Sequence, residues 1–289
     1  MQPTDIDYLD DSWNPLAMLC TPVGPGCANC WHLAMARRLA ANAAFSPEVR
    51  AAYAGDGPPV LRRDKLDAPL RRRKPARIGV QFMGDLWHEA VDPCDRAAVI
   101  RATNLAPQHT YLFLSKRPAR FDMDWSGSSN LWPGVSVEDQ QRADDRIRYL
   151  LKTQAAVRWL SLEPLLEQVD VTDWLSPLGD ETCNLGEAHR RGQCGCRTAH
   201  LDWVVVGAES GPHCRPCKLD WMKDIVEQCR GADVPVFVKQ LDLDDRVSHD
   251  PAEWPAWARV RDFPRRPWQR RSPKRPPRRQ RRSDETPGP

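Results

Sequence analysis

Six short apolar runs, each rich in β-branched or aromatic residues and each ending in a polar cluster, constrain the fold of this chain most strongly. Residues 77–83 run into Gly84-Asp85, 109–114 into Ser115-Lys116-Arg117, and 131–137 into Glu138. Residues 157–162 run into Glu163-Pro164, 203–206 into Gly207-Ala208-Glu209, and 234–238 into Lys239-Gln240. A half-exposed antiparallel strand alternates apolar and polar residues. A near-continuous apolar run is instead buried on both faces, as in a parallel sheet. Helical patterns lie between the runs. In 139–153, Ala143, Ile147, Leu150 and Leu151 share a face, and in 220–230 Trp221, Met222, Ile225, Val226 and Cys229 do. Residues 95–105 and the alanine-rich 30–44 also read as helices. The repeated strand–helix–strand order predicts an α/β fold with parallel strands. An opening strand near Trp13 would make seven, in a partial or complete (β/α) TIM-type barrel.

That topology gives the polar strand ends a meaning, because (β/α) barrels carry their sites at the C-terminal ends of the strands. Here those ends hold Asp85, Lys116, Arg117, Ser136, Glu138, Glu163, Glu209, Lys239 and Gln240. One polar residue at one strand end is ordinarily a helix cap. Six ends, most with an ionisable group, point to a shared mouth. Lys116, Glu163, Glu209 and Lys239 are the catalytic candidates. A plain hydrolase or lyase using Glu163 and Glu209 as acid and base is one option, but it leaves the cysteines unexplained.

The chain has ten cysteines. Cys20, Cys27 and Cys30 form C-x6-C-x2-C, and the x6 segment contains Pro22, Gly24, Pro25 and Gly26, which suit a tight loop round a metal centre. Three thiolates can hold three irons of a [4Fe–4S] cluster and leave the fourth open. Such an open iron suits S-adenosylmethionine. The same thiols with His32 equally suit a Cys3His zinc site, or are reduced core thiols. A second group, Cys183, Cys194 and Cys196 with Cys214 and Cys217, is a candidate second metal site for Zn2+. Cys94 and Cys229 fall in helical patterns and read as core.

Charge divides the chain. The net charge is +3, from 42 basic and 39 acidic residues, yet 261–289 alone carries +8 and the rest −5. That proline-rich, basic end cannot bury enough surface to offset its ordering entropy. The expected organisation is a barrel domain over 1–245, with a cysteine-rich insertion at 178–200, and a largely disordered Pro/Arg-rich tail over 246–289. Arginines in a flexible arm suit phosphate backbones. A second basic run, 62–77, reads as an exposed loop. No run approaches 18 consecutive apolar residues, so no membrane partner is expected. The acidic, polar N-terminus does not resemble a secretory signal, and many unpaired thiols favour the cytoplasm.

The motif Trp13-Asn14-Pro15 followed by the Cys20–Cys30 loop and Trp31 resembles the opening of a family of phage and bacterial proteins that is similar to radical SAM enzymes. The resemblance continues through Met83-Gly84-Asp85-Leu86-Trp87, Ser115-Lys116-Arg117-Pro118, Gly134-Val135-Ser136-Val137-Glu138, Ser161-Leu162-Glu163-Pro164, Gly207-Ala208-Glu209-Ser210-Gly211 and Phe237-Val238-Lys239-Gln240. It implies a partial TIM-type barrel with a [4Fe–4S] cluster on Cys20, Cys27 and Cys30, and S-adenosyl-L-methionine as cofactor. By position, Gly84 and Asp85 would lie near the methionine amine, while Ser136, Glu138 and Glu163 would line the ribose or substrate side. The chain departs from the common C-x3-C-x2-C spacing, and Asn29 stands where an aromatic usually precedes the last cysteine. The leading expectation is a radical SAM-like enzyme modifying or repairing a nucleotide or nucleic-acid base, served by an electron donor. The alternative is a zinc-stabilised nucleic-acid-binding protein without catalytic activity.

Overall fold

The computed structural model describes residues 1–175, 199–244 and 246–264. Its centre is a nine-stranded sheet in the order β1-β2-β5-β6-β7-β8-β9-β10-β11. The inner seven are β2 (Asp11–Trp13), β5 (Arg77–Val80), β6 (Thr110–Ser115), β7 (Leu131–Ser136), β8 (Trp159–Leu162), β9 (Trp203–Gly207) and β10 (Val236–Leu243). All six pairings among them are parallel. β1 (Gln2–Pro3) and β11 (Arg246–Ser248) add antiparallel edges. A small hairpin of β3 (Leu16–Ala17) and β4 (Val60–Leu61) stands apart. The six apolar runs and the strand near Trp13 are thus all strands. The hydrogen-bonded order ends at β1 and β11, so a closed barrel is not formed among the described residues.

Helices α1 (Trp31–Ala40), α2 (Pro47–Ala54), α3 (Ala68–Arg71), α4 (Pro93–Asn104), α5 (Gln140–Leu151), α6 (Thr172–Leu175) and α7 (Leu219–Gly231) fill the connections. Their starts follow local chemistry. Asp92 and Asp139 cap α4 and α5 by accepting the N–H groups of Cys94 and Arg142, which satisfies donors the helix itself cannot.

Strand alternation separates two apolar layers. Tyr111 and Phe113 of β6 pack with Val99 and Ala102 of α4. Val204 and Val206 of β9 and Val236 and Val238 of β10 pack with Met222, Ile225 and Val226 of α7. The intervening residues Leu112, Trp159, Trp203, Val205 and Phe237 face the other way, around Tyr8 and Leu9 of the N-terminal segment. Tyr8 meets Trp159, Trp203 and Phe237 edge-on at 5.7–5.8 Å. The Trp159 indole lies across Gly134, donating to the carbonyls of Phe113 and Trp132. A Cβ on Gly134 would stand 2.3 Å from that ring.

The folded unit extends past the expected boundary at 245. Trp254 and Ala258 are buried, and Phe263 packs on Trp203 at 5.5 Å. Residues 246–264 bury aromatics that cover the sheet, so they belong to the core rather than the tail. The expectations about 265–289 and most of the insertion at 178–200 lie outside the described residues. Cys229 is buried as expected, but Cys94, at the start of α4, is exposed. Among the described residues no helix is long and apolar enough to cross a membrane.

Candidate functional site

The C-terminal ends of the parallel strands and the cysteine loop enclose one cavity of about 210 Å³. Cys20, Cys27 and Cys30 all line it. So do Lys116, Glu163, Glu209 and Lys239, and also Gly84, Asp85 and Ser136. Residues from the ends of six different strands therefore meet there because parallel strands all end on the same edge. Lys239 and Gln240 are neighbours, and strict alternation would send one of them away. A register shift between Val238 and Gln240 puts both on the cavity wall, as β-bulges do near sites.

Three ionic clamps hold the cysteine loop. The first is Arg117, at the end of β6. Its guanidinium pairs with Asp85 and Glu89, donates to the Thr21 carbonyl and hydroxyl at 2.9 and 2.8 Å, and stands 3.7 Å from Cys20 Sγ. His88 supports the same turn. Its Nδ1 accepts the Ala90 N–H, and its Nε2 meets Thr21 Oγ1 at 2.8 Å and the Thr21 N–H at 3.3 Å. The second clamp is the fully buried Glu138, paired with Arg146 of α5 at 2.7 Å. Glu138 accepts the Gly26 N–H, and Arg146 reaches the Val23 carbonyl. The third is Glu209, held by Arg215 and by Asn29 Nδ2 at 3.0 Å, while Arg215 also donates to the Pro25 carbonyl. Burial pushes the Glu209 carboxyl up, but the Arg215 hydrogen bonds prevail and hold it below its usual value.

These clamps explain the glycines of the loop. Gly24 has an extended backbone at φ −179, which any residue adopts. What excludes a larger residue is space: a Cβ would stand 2.2 Å from Glu138 Oε1 and 2.9 Å from Arg146 Nη2. Gly84 is different. Its φ of +112 is glycine territory, and its Cβ would also meet Met18 Sδ at 2.8 Å. Glu138 corrects the sequence reading, because it lies behind the loop with no exposure and does not line the cavity. Asp139 takes the capping role, leaving Glu138 to turn inward toward Arg146.

On the opposite wall Glu163 pairs with Lys239 at 2.8 Å and accepts from Ser161 Oγ at 3.1 Å and Tyr8 Oη at 3.4 Å. Burial and the neighbouring carboxylate both raise the Tyr8 phenol well above its usual value, so it stays protonated and acts as a donor. Lys116 donates to Ser136 Oγ, which donates to the Glu163 carbonyl. Asp85 accepts from Ser115 Oγ and from the Trp87 and Lys116 N–H groups, besides meeting Arg117. It is a fixed anion rather than a free one. Tyr8, which lines the cavity, and Arg215, which clamps the loop, are residues that sequence reasoning missed, and neither carried a signal. Asn29, Trp31 and His32, named with the cysteine loop, all line the cavity.

Cys20, Cys27 and Cys30 are free thiols. Cys27 closes a 3-10 turn, Pro25–Cys27, and Cys30 is the N-cap of α1. Burial pushes the Cys20 thiol up to about 11, with Arg117 opposing. Among the described residues no three His, Cys, Asp or Glu side chains are grouped as a single metal ion would require. His32 is buried against the cavity, and burial lowers its pKa to about 4. Of the second cysteine group, Cys183, Cys194 and Cys196 lie outside the described residues. Cys217 is buried, with its N–H on Asp242, and burial raises its thiol to about 12. Neither Cys214 nor Cys217 lines the cavity.

Fold and site together define an α/β protein whose cysteine-lined cavity sits at the C-terminal edge of a parallel sheet. The chain belongs to the family described as protein of unknown function (DUF5131), whose model matches residues 3–262. No curated protein and no solved structure is significantly similar to it.

Proposed function

We propose that this protein is an iron–sulfur, radical SAM-like enzyme on a partial (β/α) barrel, acting on a nucleotide or nucleic-acid base. The observation that carries the reading is that Cys20, Cys27 and Cys30 line one cavity together with Glu163, Lys239 and Lys116. The donor set fits such a cluster. Three thiols come from one loop, and a cluster spreads its ligands over separate irons, so they need not converge on one ion. Cys30 at the start of α1 adds the positive end of a helix dipole beside that charge. When bound, the cluster would supply an electron to S-adenosylmethionine, giving access to 5′-deoxyadenosyl radical chemistry.

The chain's own residues bind, orient and hold protons. The three clamps fix the loop, so that the thiol positions are set before anything binds. Asp85, held by four donors, offers a fixed negative charge to a cationic amine. Lys239 and Glu163 form an ion pair beside the Tyr8 hydroxyl. Lys116, whose ammonium spends one N–H on Ser136 Oγ, keeps two donors for the substrate side.

The test is anaerobic reconstitution with iron and sulfide, then reduction with S-adenosylmethionine. Cluster absorbance and 5′-deoxyadenosine are expected in the wild type, and both are expected to vanish in Cys27→Ala. A wild type without a cluster, or a Cys27→Ala variant with full activity, refutes the reading. Stoichiometric zinc in anaerobically purified protein would favour a zinc-stabilised binding protein instead.

A further inference from the structure

A second, outer cleft of about 260 Å³ adjoins the inner cavity, and Lys116 and Arg117 line both. The cleft runs between the turn after β6 and the face of α5. Its wall carries Lys116, Arg117, Arg142, Arg146 and Tyr149 against a single acid, Asp145. These cations are not equivalent. Arg117 and Arg146 are buried and committed to the clamps. Lys116 bonds Ser136 but makes no ion pair with a carboxylate among the described residues. Arg142 bonds Gln141 Oε1 and has a 3.6 Å pair with the buried Asp139, whereas Arg148 has a 3.9 Å pair with Asp145 on the surface. Exposed pairs of this kind are worth about 0–1 kcal/mol, so a polyanion displaces them easily. Arg148 and Lys152 flank the Tyr149 ring, each 5.1 Å from its centroid. The positive charge therefore continues along α5 beyond the cleft.

Cations spaced along a cleft that shares Lys116 and Arg117 with the inner cavity fit a chain of phosphates better than a single anion. We propose that the outer cleft, continued along α5 to Lys152, is a phosphate track, which holds the backbone of single-stranded nucleic acid while one base enters the inner cavity beside Lys116. The inference rests on the nucleotide or nucleic-acid reading and narrows it to a strand. A strand is favoured over a duplex because the base must leave its stack to reach an enclosed site.

The experiment uses the full chain without S-adenosylmethionine or reductant. Binding of a fluorescein-labelled single-stranded DNA of about eight nucleotides is followed by anisotropy across a salt series. Arg142→Gln/Lys152→Gln is compared with Arg38→Gln/Lys223→Gln, which removes the same charge from exposed positions on α1 and α7. For single strands each phosphate contact contributes about −0.7 to the salt slope, or about 5-fold in affinity at 0.1 M salt. The cleft variant should therefore bind about 25-fold more weakly, with a slope shallower by about 1.4, while a nucleoside monophosphate binds it as well as wild type. Equal losses in the cleft and control variants would overturn the proposal. So would equal losses for the monophosphate, or for a polyglutamate peptide, which would point to an acidic protein. Absence of 5′-deoxyadenosine in the reconstitution assay would sink the radical reading while leaving this binding contrast intact.

Discussion

Arg146→Met isolates the energetics of the cysteine loop. Glu138 has no exposure, and its carboxylate is neutralised at 2.7 Å by Arg146, which also bonds the Ser136 and Val23 carbonyls. Removing one partner of a buried ion pair leaves an uncompensated charge and costs about 3–5 kcal/mol. For a folded unit of this size that is a fall of roughly 6–20 °C in Tm. Glu138→Leu/Arg146→Met removes both charges and should recover most of the loss, since paired burial is close to neutral against apolar residues of similar volume. The double variant nevertheless leaves the Gly26 N–H and the Val23 carbonyl without their partners. Its loop should be looser, and Cys27 in metal-free protein should react faster with a thiol reagent than in wild type. Thermal unfolding and timed thiol modification measure the two effects separately. If Arg146→Met loses less than about 1 kcal/mol, or the double variant is no more stable than the single, the buried-pair reasoning is wrong.

Two further perturbations probe other parts of the fold. Gly134→Ala places a methyl 2.3 Å from the Trp159 indole, and overpacking of this kind should cost about 1–3 kcal/mol in chemical denaturation; an unchanged midpoint would contradict the packing described. Glu209 has a depressed pKa, so it contributes stability at neutral pH that is lost as pH falls below 4.5 through the lower folded-state value. Glu209→Gln should therefore be less stable than wild type at pH 7, and the gap should close on acidification; a gap independent of pH would remove the Arg215 clamp from the account.

Much of the architecture was legible because its signals are local. β-branched runs that are apolar on both faces become central parallel strands wherever they fall. Val204-Val205-Val206, for instance, sends side chains into both apolar layers. The convergence of strand-end residues followed from parallel topology alone, and ten of the eleven site positions assigned to strand ends and to the cysteine loop line the cavity. The eleventh, Glu138, could not be placed from sequence. Neither its neighbour Asp139 nor the amphipathic pattern of α5 indicates which carboxylate turns inward, and Arg146 reads there as one more surface charge.

The sequence by itself determined the order of strands and helices, the cysteine loop, and the edge of the sheet on which polar groups gather. Each depends on residues close together along the chain. Tertiary structure alone decided which charge neutralises which. The Gly26–Glu138, Asn29–Glu209 and Tyr8–Glu163 contacts join residues 112, 180 and 155 positions apart. Such pairings depend on strand order, on the bulge that turns Lys239, and on the space left by Gly24. None of these leaves a periodic mark in the sequence, because a long-range contact requires only that two side chains arrive at the same place.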